Sequence, residues 1–388
     1  MIGTVFPLNL CIGCLALAQI CTKPVSDLPQ FYFAGKLVRS GQISRLYDTS
    51  AYRPLVAELG TADRNATNGW YYFNRPAFEA PLFIPLSLVS YEAAKILARV
   101  INIFLVVILV WKLPQWFHVP NESRLYLPVY LPFLVSVAFG QDTLLLTLIV
   151  SAGLYLALKG RDLPAGVVLA LAVFKPHLIF LLPFAFAASR RWKLLGSFLI
   201  TGSMLGIISL ALVGVQGVHE WILLLRAPST DIGPQVMGNI RALAIHLGKP
   251  AAIAATFAGL GSFAFILKRG SFSEKFAAAI IMGLLLSPHT YPQDYSLLPI
   301  AGMVAFSFPV LYAALLPWPY FYPSVGKDML PFIFLSLAGL IALSYRAWQR
   351  HADDALAGTA LHRSSTAGDQ DPRSQMVLGA PTAVARKG

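Results

Sequence analysis

The amino-acid sequence predicts an all-α polytopic membrane protein. Three observations carry that reading. Of 388 residues, 56% are hydrophobic and only 12% charged, against about 25% charged in soluble domains; mean hydropathy is +0.64. Several apolar runs reach the ~20 residues that a spanning helix requires. The basic residues gather in short loops between those runs, which is the positive-inside pattern of membrane proteins. The net charge of +12 therefore reads as topology. No basic-aromatic module accompanies it, which argues against nucleic acid as a partner.

In chain order, Ile2 to Ile20 is expected to be a retained first span. No Lys or Arg precedes it, and no small-x-small cleavage site leads into a soluble domain. The three cysteines, Cys11, Cys14 and Cys21, fall in or at the end of this run. Without a second Cys or His pair at zinc spacing they read as small packing residues. A long outer loop follows, from about 21 to 77. "LPQFYFAGKLVRSG" and "LYDTSAYRPLVAELG" have apolar residues near helical spacing, and short helices lying on the outer surface are expected. Tyr71, Tyr72 and Phe73 in "GWYYFNRPAFEAP" stack on a sugar or anchor the loop at the lipid boundary, the latter preferred.

Three basic loops orient the body: "LKGRD" (158–162), "SRRWK" (189–193) and "LKRGSFSEK" (267–275), all expected in the cytoplasm. The 26 or so residues between the first two are too few for two full spans. Pro176 predicts a break near Lys175, hence two short helices meeting at "FKPH". Counting spans from these anchors puts Asp27, Gln141, Asp142, Lys175, His177, His219, Arg226, Asn239, Arg241, His289 and Asp294 near the outer leaflet. Ionisable groups at membrane depth are costly and mark functional cavities. Between Phe78 and Tyr126 the crossing count stays open. About 12 helices are expected in residues 1–345, and a disordered cytoplasmic tail over 346–388.

The motifs then resemble a family. "SDLPQFYFAGKLVRSGQISRLYD", with Asp27, Tyr32, Ala34, Gly41 and Leu46-Tyr47-Asp48, is similar to the first-loop signature of glycosyltransferase family 87, in the GT-C superfamily. "YYFNRPAFEAPLFIPL" resembles that family's aromatic-proline entry into the second span. Gly140-Gln141, then Gly160-Arg161, Ala165-Gly166 and Lys175, and finally "SPHTYPQDYSLL" follow the family order. Leu28-Pro29 departs from the usual aromatic after the aspartate, and "GQD" from the commoner "GQ-x-N". The resemblance implies the GT-C fold in the plasma membrane. It implies transfer of a sugar, commonly mannose, from a polyprenyl-phosphate donor on the extracytoplasmic side, with inversion.

Chemistry then suggests roles. A departing phosphate gains charge, so cations at the phosphate favour the transition state. Lys175 is first choice, with Arg241, His289 and His177 behind it; a snorkelling lysine is the bland alternative for Lys175. The acceptor hydroxyl must lose a proton, and Asp27 is the candidate general base. Asp27 can equally cap a helix opening at Leu28, with Pro29 in its first turn. Gln141, Asp142, Asn239 and Asp294 are candidate substrate contacts. With no D-x-D and no phosphate-cradling Gly loop, neither a metal, a cofactor nor a nucleotide donor is expected. The acceptor is a glycan, a lipid or a protein. A flippase or transporter of lipid-linked glycans, and a polymerase or ligase of them, are the rival readings. The former usually shows internal repeats, which this chain lacks.

Overall fold

The computed structural model describes Cys11 and residues 27–67, 71–120, 123–226, 237–305 and 329–367. The expected first span, with Cys14 and Cys21, lies outside the described residues. Every regular element among the described residues is helical. The longer ones are α1 (Leu28–Arg39), α2 (Tyr91–Phe117), α3 (Leu131–Phe139), α4 (Thr143–Leu158), α5 (Asp162–Ala170), α6 (Leu182–Ala188), α7 (Trp192–Arg226), α8 (Ile240–Leu247), α9 (Lys249–Arg269), α10 (Phe272–Leu286), α11 (Leu298–Ala305) and α12 (Leu330–Ala367).

Four of these are long and apolar enough to cross a membrane, within Tyr91–Phe117, Trp192–Arg226, Lys249–Arg269 and Leu330–Asp353. Apolar helical stretches at Ala77–Ser87, Thr143–Leu158, Asp162–Phe174 and Pro176–Ala188 are shorter. The segment between Phe78 and Tyr126 thus holds one short stretch and one full-length helix. Large apolar residues on α2, α7 and α9 face outward, among them Phe104, Ile207 and Phe257. Such faces suit lipid. α10 is different: Glu274 through Leu285 are all buried, as expected of a helix that is apolar all round. α7 is broken at Gly214, whose φ of 72° takes the chain out of helical geometry.

Two hydrophobic cores result. The larger joins α2–α6 with α9, α10 and α12. The smaller is built from the first loop and the start of α2, closed by Val213 and Leu224 of α7. This second core revises the expectation of helices lying on the outer surface. α1 is buried from Leu28 through Gly35, covered by the Ala77–Ser87 stretch. A Cβ on Gly35 would stand 2.2 Å from the Phe83 carbonyl oxygen, so only glycine permits the approach. Phe31 stacks on Phe83 at 4.5 Å and Tyr32 meets Tyr91 edge-on at 5.3 Å. The aromatics read as lipid anchors join the same core. Phe73 is fully buried against Phe31, and Tyr72 packs on Tyr52 at 5.4 Å. Period alone gives a helix its apolar face but not what covers it.

The chain past 345 also differs from expectation. α12 stays helical to Ala367 instead of becoming irregular at 346. Arg350, on that extension, donates to both carboxylate oxygens of Glu274 at 2.8 and 2.7 Å, which fastens the helix to α10. Residues 368–388 lie outside the described residues.

Candidate active site

The hairpin of Asp162–Phe174 and Pro176–Ala188 has a tip and a base with different chemistry. At its base, Arg191 pairs with Asp162, donates to the Ala157 carbonyl at 2.6 Å and lies 4.3 Å over the Phe272 ring. Lys275 donates to the Ala188 carbonyl at 2.9 Å. The three basic loops therefore meet at one end of the bundle. Pro176 lacks an N–H and opens a new helix, so Lys175 is left at the tip with its side chain 2% exposed.

Lys175 Nζ donates to Thr143 Oγ1 at 2.8 Å and Asp294 Oδ1 at 3.2 Å. It also stands 2.8 Å from Asp142 Oδ1. Asp142 is delivered by Gly140, the left-handed residue (φ 68°) that ends α3; such a conformation favours glycine. The other oxygen of Asp142 accepts from Arg75 Nε at 3.0 Å. Burial pushes the Asp142 carboxyl up, but the Arg75 and Lys175 charges outweigh it and hold it below the ordinary carboxylate range. Asp294 is fixed twice over. Its second oxygen accepts from the Tyr291 N–H at 2.9 Å. Its neighbour Tyr295 is wholly buried, donating to the Gly238 carbonyl and accepting through its own carbonyl from the Tyr130 hydroxyl at 3.0 Å.

Asp27 occupies the position before α1, yet its side chain makes no capping bond. Oδ2 instead accepts from Gln141 Nε2 at 2.5 Å, across 114 positions of sequence. Burial raises the Asp27 carboxyl above its ordinary value, against the Gln141 hydrogen bond and the Lys175 and Arg75 charges, which lower it. Asp27, Gln141, Asp142, Lys175 and Asp294 thus converge from four separate segments. His177 and His289 are partly buried at the edge of this cluster, and Arg241 is exposed beside His289. Asn239 does something else. Its Oδ1 caps α8 by accepting from Ala242 N–H at 3.1 Å and its Nδ2 donates to the Ser287 carbonyl at 2.9 Å, so its amide ties the start of α8 to the 287–291 turn. His219 and Arg226 are exposed on α7.

Sequence reasoning missed Arg75 and Glu79. Both lie in "FNRPAFEAP", read only for its aromatics; a charge in an apolar setting was the signal available. The Leu46-Tyr47-Asp48 motif explains how Arg75 is placed. Tyr47 donates its hydroxyl to the Arg75 carbonyl at 2.6 Å and stacks on Trp221 at 6.0 Å. Asp48 caps the next turn through the Ser50 N–H at 2.8 Å. An apolar cavity of about 390 Å³ is lined by Pro76 and Pro176, the residues that follow Arg75 and Lys175, with Tyr47, Phe78, Val173, Gly202, Gly206, Ser209 and Trp221 among others. Among the described residues no group of three or more His, Cys, Asp or Glu is placed to hold a metal ion.

The sequence profile of glycosyltransferase family 87 matches residues 73–288. The chain belongs to glycosyltransferase family 87. No curated protein and no solved structure matches it. The family segment contains Arg75, Glu79, Gln141, Asp142, Lys175, His177, Asn239 and Arg241, and ends one residue short of His289; Asp27 lies upstream of it. With its apolar helices, this family 87 chain is a membrane glycosyltransferase. It acts on a sugar donor and an acceptor.

Proposed function

We propose that the chain transfers a sugar, mannose in our reading, from a polyprenyl-phosphate donor to an acceptor hydroxyl. The reaction runs on the extracytoplasmic face of the plasma membrane and inverts the anomeric centre. The observation that carries this is Asp27: a carboxylate at a helix start that forgoes capping, bonds Gln141 with one oxygen, and sits in the field of Lys175 and Arg75. The acceptor O–H attacks the anomeric carbon and gives its proton to Asp27. The glycosidic C–O bond breaks and its electrons leave with the phosphate. A base with a raised pKa works closer to neutral pH than an ordinary aspartate.

Inversion is what the family resemblance implies, and the state of Asp142 and Asp294 supports it. A retaining reaction needs a second carboxylate free to form a covalent intermediate, about 5–5.5 Å from the first. Asp142 and Asp294 are both tied to Lys175, so neither is a free nucleophile. Lys175 then acts as fixed positive charge beneath the phosphate, with its ammonium already distributed over Asp142, Thr143 and Asp294. Arg241, His289 and His177 supply the open donors at the rim. A donor aimed at developing charge contributes about 2.7–4 kcal/mol. The apolar cavity lined by Pro76 and Pro176 takes the first isoprenoid units. The basic loops at the opposite end support the sidedness by the positive-inside rule.

The test is purified protein with labelled polyprenyl-phosphate sugars and a panel of glycan, lipid and peptide acceptors, read by product mass. Transfer from a lipid-linked sugar that Asp27→Asn slows by about 10²–10⁴-fold is expected. Transfer from a sugar nucleotide alone, or lipid-linked glycan moved across vesicles by an unaffected Asp27→Asn, overturns the reading.

A further inference from the structure

Glu79 is fully buried in the turn Ala77–Phe83, four residues after Arg75. Neither of its carboxyl oxygens accepts a hydrogen bond. A carboxylate taken out of water without a donor is unfavourable, and a carboxyl so placed takes up a proton instead. The charged groups that face it are Asp142, Arg75 and Lys175, with the Tyr47 hydroxyl on the cavity side. Of these, Asp142 is another carboxyl, and it is held by Arg75, four residues before Glu79.

Two carboxyls bond each other only when one carries a proton. Asp142 is the poorer holder, because Arg75 at 3.0 Å and Lys175 at 2.8 Å favour its ionised form. Its Oδ1 nevertheless accepts no hydrogen bond, since Lys175 approaches it as an ion pair outside hydrogen-bond geometry. One proton on Glu79 therefore removes its own unpaired charge and gives Asp142 Oδ1, otherwise met only by the Lys175 ion pair, a hydrogen bond. Charge count agrees: four carboxyls (Asp27, Glu79, Asp142, Asp294) share two cations, Arg75 and Lys175.

We propose that Glu79 is a positioning residue, carried as the neutral acid and donating its hydroxyl to Asp142, which locks that carboxylate between Arg75 and Lys175. Because Gln141 precedes Asp142 and holds Asp27, the lock reaches the proposed base without Glu79 touching substrate. Ionisation of Glu79 at alkaline pH adds a negative charge beside a site meant for an anionic phosphate, so donor binding weakens. This kinetic consequence rests on the transfer reading above; the protonation state does not.

The experiment compares full-length wild type with Glu79→Gln and Glu79→Leu in lipid nanodiscs. An infrared difference spectrum in D2O at neutral pH is expected to show a protonated-carboxyl C=O band in wild type that Glu79→Gln removes. Glu79→Gln, which keeps a donor of the same shape, is expected to transfer within about twofold of wild type, and Glu79→Leu to lose about tenfold or more in kcat. The donor KM of wild type rises as the band titrates away, while that of Glu79→Gln stays flat. No such band at Glu79 overturns the proposal whatever the activity. A band present alongside a fully active Glu79→Leu overturns the positioning role. If Glu79→Leu does not fold, the Glu79→Gln pH profile decides. An inactive wild type defeats the transfer reading and leaves the infrared band to decide this one.

Discussion

The tip and the base of the 162–188 hairpin hold the same kinds of side chain under different conditions. By helical rise the two lie roughly 20 Å apart. At the base, Arg191 and Asp162 keep about a fifth of their side-chain surface exposed (18% and 20%), and Arg350 is 40% exposed. At the tip, Lys175, Asp142 and Asp294 are 2%, 1% and 4% exposed. Exposed pairs contribute about 0–1 kcal/mol. Buried ones contribute little net stability, but removing one partner is severe because the other charge is left stranded. The base is a fastening that tolerates change, whereas the tip is a mutually dependent set.

The largest effect expected from this contrast is Lys175→Met. It strands Asp142 and Asp294, and a loss of about 3–5 kcal/mol in stability is expected. Arg191→Met at the base is expected to lose about 1 kcal/mol. Thermal unfolding of both variants in detergent reads the difference. Equal losses would break the comparison.

Next is Asp27→Asn. The amide keeps the shape but cannot take a proton, and general-base removal costs about 10²–10⁴-fold in rate. Stability should hold or improve, because the raised pKa of Asp27 means its ionised form is disfavoured in the fold. By the same sign, the stability tied to Asp27 is present at low pH and is lost as pH rises through its folded value. Activity runs the other way, rising over that window as the base ionises. The acid limb of the rate profile should therefore lie above the ordinary aspartate value of about 3.9, and should vanish from the residual rate of Asp27→Asn. An acid limb at or below that value would detach Asp27 from the rate.

These outcomes bear on how much was legible in sequence. Lys175 stood out because a proline break and a lone charge coincide in an apolar run, and both are local. The break at Pro176 and the convergence of the three basic loops followed from composition and span length. Arg75 and Glu79 were hidden because their role depends on a partner 67 positions away for Arg75 and on a bond that needs a proton for Glu79. Asp27 was seen, but its two readings separate only when Gln141, 114 positions on, takes the carboxylate. The first loop's burial was missed for a similar reason. Aromatic density marks a membrane interface and a packed core equally well, and Gly35, the residue that permits the packing, carries no signal of its own.

A smaller effect tests the apolar cavity lined by Pro176 and Gly206. A Cβ at Gly206 meets open space, so Gly206→Phe should fold and narrow the cavity. Donor KM is expected to rise several-fold for long isoprenoid chains and little for short-chain analogues, with kcat unchanged, as for a loss of uniform binding. An equal rise for both chain lengths would move the chain's path elsewhere.

The smallest expected effect lies at the base. Arg350→Ala removes two hydrogen bonds from Glu274, which is itself 2% exposed. Glu274 is not stranded, however. It still accepts from the Ser271 N–H at 2.8 Å and the Ser271 hydroxyl at 3.1 Å in the capping box of α10. The expected cost is therefore about 1 kcal/mol, seen as a shift of a few degrees in thermal midpoint. Transfer kinetics should not change, because no buried charge at the tip loses a partner. A fall in kcat with Arg350→Ala would mean that α10, buried along its length, transmits strain from its first turn to the 287–294 segment that carries Asp294. In that case the two ends would be one mechanical unit, and the tolerance assigned to the base would be an artefact of looking at exposure alone.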